Sequence, residues 1–99
     1  MKKVVNKNEI IKSLLKVKGE LKSRGVLKIG LFGSFLKGKQ KKESDIDLLV
    51  RLSDVSAKDY LGLIFYLEGM FKRKVDLVLE EDLKPELKYV KKDAVYVQI

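Results

Sequence analysis

The sequence contains no cysteine and no histidine among its 99 residues, and its only proline is Pro85. Without cysteine, the chain has no disulfide framework, thiolate metal site or thiol nucleophile. Without histidine, it has no Ser-His-Asp triad, no zinc–histidine site and no ordinary neutral-pH general base. Any chemistry must therefore use carboxylates, lysines, hydroxyls, backbone amides or a hard metal ion bound through oxygen.

Long apolar segments are also missing. No run approaches the roughly 18 apolar residues that a membrane span needs. Residues 1–6 lack the apolar stretch of a signal peptide. We therefore expect a cytoplasmic protein that does not bind membranes, with residues 1–99 folded as a single domain around one core.

The charge is strongly basic, with 22 Lys and Arg against 14 Asp and Glu, which gives a net charge of +8. Such a charge favours encounters with nucleotides, nucleic acids or acidic proteins. A solvated lysine-rich surface explains it equally well. No aromatic-rich strand motif for base stacking is visible, so nucleic-acid binding is not expected, although it stays open as a third hypothesis.

Hydrophobic periodicity predicts helices that alternate with strands. We expect a first helix over residues 8–24 with Asn8 as its cap, and a second helix opened by a capping box of Ser56 and Asp59. A short helix is expected over residues 86–92. The predicted strands are Val26–Phe32, Ile46–Leu52, Val75–Leu79 and residues 94–99. The order α-β-β-α-β-α-β indicates an α/β or α+β domain with helices packed on a small sheet.

Three acidic residues interrupt this apolar pattern. Asp45 and Asp47 open the second predicted strand and project to one face, because side chains alternate along a strand. Asp76 lies inside the third predicted strand. Close carboxylates repel one another, and a divalent cation such as Mg²⁺ removes that penalty. If the third strand lies beside the second, the three aspartates converge on an oxygen site for a pair of metal ions.

A possible phosphate-binding turn follows the first predicted strand. Gly33 allows the backbone to approach a phosphate, and Ser34 supplies a hydroxyl and a backbone N–H as donors. Four lysines in the following loop can neutralise phosphate charge; they are Lys37, Lys39, Lys41 and Lys42. Each feature alone is more often an ordinary turn, a solvated strand end or a solvated loop. Their joint occurrence at the ends of three successive strands favours a functional site.

The spacing of these residues resembles a known signature. Gly33-Ser34, ten intervening residues and Asp45-Ile46-Asp47 are similar to the G-S-x10-D-x-D motif of the polymerase-β-like nucleotidyltransferase superfamily. Residues 29–50 resemble the minimal nucleotidyltransferase (MNT) family within it. Leu36 and Lys37 differ from the alanine and arginine of the commonest form, and lysine lacks the bidentate fork of arginine.

The resemblance implies a small mixed β-sheet flanked by helices and Mg²⁺-dependent use of ATP, with two metal ions. It implies that Asp45 and Asp47 bind metal and that Asp76 completes the metal site and helps to deprotonate the attacking hydroxyl. Gly33, Ser34 and Lys37 would bind the nucleotide. It further implies that the chain is the antitoxin of a type VII toxin–antitoxin pair. Such an antitoxin silences a HEPN-domain toxin by transferring AMP to one of its tyrosines, and we expect a hetero-oligomer of the two.

Two other hypotheses stay open at this point. In the first, the chain is an antitoxin that neutralises its partner by occlusion and keeps only a vestigial nucleotide site, a reading that Leu36 and Lys37 support. In the second, it transfers a nucleotide to an antibiotic or an RNA end, although such enzymes usually carry additional domains.

Overall fold

The computed structural model describes residues 6–54 and 56–99 of the chain. Five helices and four strands are found there, and two 3₁₀ turns, Glu80–Asp82 and Pro85–Leu87, follow the third strand. In chain order the elements are α1 (Lys7–Lys16), α2 (Lys18–Ser23), β1 (Val26–Phe32), α3 (Gly33–Lys37), β2 (Ile46–Leu52), α4 (Ala57–Phe71), β3 (Val75–Leu79), α5 (Tyr89–Asp93) and β4 (Val95–Val97). No helix within the described part of the chain has the length and apolar character needed to cross a membrane.

The four strands form one mixed sheet in the order β3-β2-β1-β4. β2 pairs in parallel with β3, whereas β1 is antiparallel to both of its neighbours, β2 and β4. The predicted sheet flanked by helices is therefore confirmed, and so is the expected position of β3 beside β2. The register places Asp47 opposite Asp76 on one side and opposite Phe32 on the other.

The two faces of the sheet differ in what covers them. One face carries most of the apolar strand residues and packs against the helices to form the core, although the buried Leu49 lies on the other face. The buried strand residues of the core face are Ile29, Leu31, Ile46, Leu48, Val50, Val75, Leu77 and Val97. The opposite face carries Gly30, Asp47, Asp76 and Tyr96, since strand residues alternate between faces and paired residues share one. We call this second face the polar face.

The N-terminal helical region differs from the prediction of one helix capped by Asn8. The cap is Asn6, whose side chain accepts a hydrogen bond from the Glu9 N–H at 3.0 Å. The helix also ends at Val17, where a second, shorter helix begins. This break lets α1 bury Ile10 and Leu14 while α2 separately buries Leu21 against the same core.

The longest helix confirms its prediction. The Ser56 hydroxyl accepts a hydrogen bond from the Asp59 N–H at 3.1 Å and caps α4. Its apolar stripe faces the core, where Leu63, Leu67 and Phe71 are buried.

The structure of the C-terminal region also differs from its prediction. The short helix expected over residues 86–92 is instead a 3₁₀ turn, Pro85–Leu87, followed by α5 at Tyr89–Asp93. Pro85 is suited to the first position of a turn and lacks the N–H that would extend a helix backwards. The edge strand expected over residues 94–99 is present in shorter form as β4.

Candidate active site

The parallel pairing of β2 and β3 creates a pair of neighbouring carboxylates on the polar face. Asp47 and Asp76 are register partners, and their carboxyl groups are close enough for Asp76 to raise the pKa of Asp47. Asp47 is half-buried and Asp76 is exposed, so the pair opens towards solvent. Asp45 lies immediately before β2, whose range Ile46–Leu52 is the predicted one, and it is also exposed.

Gly33 brings the backbone of the β1–α3 turn against this pair. Its φ of +76° is one that side chains other than glycine rarely adopt. A Cβ atom at this position would lie 2.1 Å from Oδ2 of Asp47, which is far inside van der Waals contact. The next residue, Ser34, donates its backbone N–H to the Asp47 carboxylate. The turn is therefore built around Asp47, and only glycine fits at its first position.

The surroundings of Asp47 disfavour the ionised form of its carboxyl group. The pKa of Asp47 is raised from 3.8 to about 6, first by burial and then by the negative charges of Asp76 and Asp45. The hydrogen bond with the Asp76 carboxyl also raises this pKa, and only the Ser34 N–H opposes the shift. No lysine or arginine in residues 6–54 or 56–99 contributes to it. A cation from outside the chain would relieve this repulsion.

The predicted metal site is open rather than preformed. Among the residues that the structure describes, no group of three or more acidic side chains is arranged to hold a metal ion. The three aspartates are nevertheless close enough for Asp45 and Asp76 both to act on the pKa of Asp47. Mg²⁺ usually binds through one or two carboxylates together with substrate phosphates and water. An all-oxygen, partly exposed set of this kind fits Mg²⁺ with a bound nucleotide.

Arg73 is a residue of the site that the sequence analysis did not single out. Its Nη1 donates to the carbonyl oxygens of Lys42, at 2.8 Å, and Ser44, at 3.3 Å. These carbonyls lie in the loop that leads into Asp45, so Arg73 fixes the approach to the first aspartate. A basic residue two positions before a strand gives no signal of such a role in the sequence.

Tyr60 is a second residue that the sequence analysis did not single out. Its hydroxyl donates a hydrogen bond to the carbonyl oxygen of Leu77, the residue after Asp76. Burial raises the pKa of Tyr60, and the charges of Asp76 and Asp82 raise it further, so the hydroxyl remains a donor at neutral pH. The apolar stripe of α4 concealed this role, because tyrosine fits a core-facing position equally well.

Lys37 lies at the end of α3 and is exposed. With Gly33 it lines a largely apolar groove between α3 and α5, whose other walls include Leu36, Tyr89 and Val90. The structure thus brings Gly33, Ser34 and the aspartates together, while Lys37 reaches the site only through the groove that it shares with Gly33.

Comparisons with known proteins identify the family of the chain. Residues 14–97 match the family described as the nucleotidyltransferase domain. The chain is 41% identical over 93 residues to protein adenylyltransferase MntA of Thermococcus cleftensis, covering 90% of this chain and 94% of that protein.

Solved structures give the same answer for the fold. One, described provisionally as a minimal nucleotidyltransferase, matches with a TM-score of 0.76 and 30% identity over 88% of this chain and 92% of that chain. Another, described as a toxin–antitoxin with AMP-PNP, matches with a TM-score of 0.59 and 30% identity over 81% of this chain and 61% of that chain. This protein therefore belongs to the nucleotidyltransferase domain family and, within it, to the minimal nucleotidyltransferases.

Proposed function

We propose that this protein transfers AMP from ATP to a tyrosine hydroxyl of a HEPN-domain toxin, in a Mg²⁺-dependent reaction, and thereby acts as an antitoxin. The observation that carries the proposal is the position of Asp47. Its carboxylate is packed against Gly33, bonded to the Ser34 N–H and repelled by Asp76 and Asp45. Among the described residues no cation opposes the raised pKa of this half-buried carboxylate, which suits it to an incoming metal–nucleotide complex.

Magnesium fits the residues present because all the donors are carboxylate oxygens. Asp45 and Asp47 would hold the metal with Asp76, and the exposure of Asp45 and Asp76 would give the phosphates of ATP access to it. Bound magnesium would supply charge stabilisation for the transferring phosphoryl group and the departing pyrophosphate.

The side chains and backbone of this protein would then position the reactants. The Gly33–Ser34 turn packs against Asp47 because Gly33 has no Cβ, and from this position Ser34 would offer its hydroxyl to the triphosphate as a donor. Lys37 would add positive charge from the neighbouring groove. Asp76, exposed beside Asp47, would orient the acceptor hydroxyl and accept its proton. The acceptor oxygen bonds to the α-phosphorus of ATP as the bond to the β-phosphate bridge breaks, and pyrophosphate leaves.

The choice of acceptor rests on the relatives. A relative covered over 94% of its length is named a protein adenylyltransferase, and a structural neighbour is a toxin–antitoxin with AMP-PNP. These names support ATP as the nucleotide and a toxin protein as the acceptor. The net charge of +8 favours an acidic surface on that partner.

The test uses the purified chain, Mg²⁺, ATP labelled on its α-phosphate and the HEPN protein encoded beside it. We expect label on the partner with wild type, and none after addition of EDTA or with Asp47→Asn. Gly38→Ala is the matched control, because Gly38 closes α3 with no atom within 4 Å of its added Cβ. Replacing each tyrosine of the partner by phenylalanine identifies the acceptor. Equal labelling by wild type and Asp47→Asn would contradict the proposal.

The second candidate is an antitoxin that acts by occlusion. It is favoured by Lys37, which replaces the common arginine and whose side chain is exposed. Under this hypothesis Asp45→Ala and Asp47→Ala still protect cells from the toxin. If both variants bind the partner yet lose protection, occlusion alone is excluded.

A further inference from the structure

Asp76 lies on an edge strand, which leaves one side of its backbone without a neighbouring strand. β3 pairs only with β2 in the described sheet. The Ile46 N–H donates to the Lys74 carbonyl at 2.9 Å, so residue 74 points its backbone towards β2. Since backbone groups alternate in direction along a strand, those of Val75 and Leu77 point outward. Unpaired groups of this kind let an edge strand shift or fray.

Two side chains of α4 bind these outward groups on either side of Asp76. Oε2 of Glu68 accepts the Val75 N–H at 2.9 Å. The Tyr60 hydroxyl donates to the Leu77 carbonyl. Both side chains are half-buried, so water competes less for either bond than it would at an open edge.

The anchor point is itself rigid. α4 is capped at Ser56 and carries three fully or almost fully buried residues, Leu63, Leu67 and Phe71, which lie between or just after Tyr60 and Glu68 in sequence. The core packing of α4 thus fixes the two bonds, and the two bonds fix the backbone of β3. The only residue between the two bonded positions is Asp76.

We propose that Tyr60 and Glu68 are positioning residues for Asp76, holding β3 in the register that sets this carboxylate beside Asp47. The inference rests on the proposed function, in which Asp76 orients the acceptor hydroxyl. Neither side chain needs to touch the nucleotide or the acceptor for this role. A misplacement of about 1 Å at a reacting group lowers turnover by as much as 100-fold, so loss of either bond affects chemistry more than nucleotide binding.

The first test compares Tyr60→Phe with Tyr66→Phe. Both substitutions remove one hydroxyl from α4, but the ring of Tyr66 lies 4.6 Å from the Arg24 guanidinium, at a different contact. We expect Tyr60→Phe to lower kcat of AMP transfer about tenfold with the KM for ATP within about twofold, and Tyr66→Phe to leave both unchanged.

The second test compares two substitutions of Glu68. Gln keeps an oxygen that accepts the Val75 N–H, whereas Leu has a similar size and no acceptor. We expect Glu68→Leu to lower kcat about tenfold and to accelerate hydrogen exchange at the Val75 amide. Glu68→Gln should restore both towards wild type. A role in stability alone predicts that thermal midpoints change while kcat in the folded protein stays constant.

The outcomes separate the two proposals. If wild type transfers AMP and both Tyr60→Phe and Glu68→Leu match its kcat, the positioning role is wrong and the proposed function stands. If wild type transfers no AMP, the proposed function is wrong. In that case the positioning role is tested by the rise in thermal midpoint that Mg²⁺ causes without nucleotide. This rise should be smaller in the two variants than in wild type, because a displaced Asp76 weakens metal binding. An equal rise in wild type and both variants overturns it.

Discussion

Two carboxylates at the polar face of the sheet, those of Glu80 and Asp47, have opposite electrostatic surroundings. Glu80 lies 3.7 Å from Nζ of Lys28 and 3.6 Å from Nζ of Lys91, and it accepts a hydrogen bond from the Tyr96 hydroxyl at 3.3 Å. Asp47, towards the other end of the face, has two aspartates as its charged neighbours. Among the residues that the structure describes, Glu80 therefore has cationic partners, whereas Asp47 has none.

The surroundings of Glu80 are those of a structural contact. Lys28 lies 4.0 Å above the Tyr96 ring, and that ring packs on Gly30, where a Cβ would approach it to 2.8 Å. These contacts join β4 to the segment after β3 and are complete without a ligand. The surroundings of Asp47 differ, because within residues 6–54 and 56–99 the Ser34 N–H is the one group that stabilises its ionised form. An acidic residue is therefore a stronger candidate for a functional role when no cationic side chain lies near it.

The largest expected effect comes from Asp47→Asn. We expect AMP transfer to fall by at least about 100-fold, because the variant loses a metal-binding carboxylate. At pH 7.5 without metal, however, the free energy of unfolding of the variant should be about 1 kcal/mol higher than that of wild type. This figure discounts the pKa shift for the solvent screening of a half-exposed group. Radiolabel transfer measures the first quantity, and urea unfolding measures the second.

The pH dependence of this stability difference follows from the direction of the pKa shift. The folded-state pKa of Asp47 is about 6 against 3.8 in the reference state, so folding disfavours the ionised form. The cost is absent below about pH 4, grows between pH 4 and 6, and is complete above that range. Added Mg²⁺ should reverse the order by stabilising wild type more than Asp47→Asn. A variant less stable than metal-free wild type at pH 7.5 would contradict the repulsion argument.

The second prediction concerns two glycines that share a left-handed backbone. Gly33 has a φ of +76° and Gly38 a φ of +70°, but only at Gly33 would a Cβ meet another residue, the Asp47 carboxylate. We expect Gly38→Ala to lower stability by about 1 kcal/mol through backbone strain and to leave AMP transfer within about twofold of wild type. Gly33→Ala should suffer the same strain and also lose about 100-fold in turnover, because Asp47 is displaced. Equal turnover in the two variants would show that the close approach has no catalytic importance.

Much of this site is predictable from the sequence because its motif is local. Gly33-Ser34 and Asp45-x-Asp47 lie within one β-loop-β segment, and strand alternation alone places Asp45 and Asp47 on one side. Asp76 required one further assumption, that β3 pairs with β2, which the parallel register confirms. The roles of Gly33, Ser34, Lys37 and the aspartates in binding and catalysis stay predictions that the experiments above test.

The features that the sequence did not predict are those set by tertiary contacts. The break at Val17 depends on how α1 and α2 fit the core, which local helical periodicity does not encode. The bonds of Tyr60 to Leu77 and of Arg73 to the loop before Asp45 join residues 17 to 31 positions apart. Nothing in the composition of their own segments indicates those partners.

The third prediction tests the structural end of the polar face through Gly30→Ala. The added Cβ would approach Cδ1 of Tyr96 to 2.8 Å, so the ring must shift away from both Lys28 and Glu80. We expect a loss of about 2 kcal/mol in unfolding free energy, typical of overpacking, with AMP transfer by the folded protein within about twofold of wild type. A simultaneous collapse of activity in folded protein would show that the two ends of the face are coupled.

The smallest expected effect is that of Glu80→Gln. The variant keeps an oxygen that can accept from Tyr96 but loses its attraction to Lys28 and Lys91, whose side chains are 44% and 42% exposed. Because such partners remain solvated, we expect a loss of about 1 kcal/mol at low ionic strength that fades in 1 M salt. Glu20→Gln, which breaks the exposed pair with Arg24 at 2.9 Å, is the matched control and should cost less than about 0.5 kcal/mol. Urea unfolding at the two salt concentrations measures both losses. If Glu80→Gln instead stabilised the protein, as the corresponding change at Asp47 should, the contrast between a neutralised and an uncompensated carboxylate would be wrong.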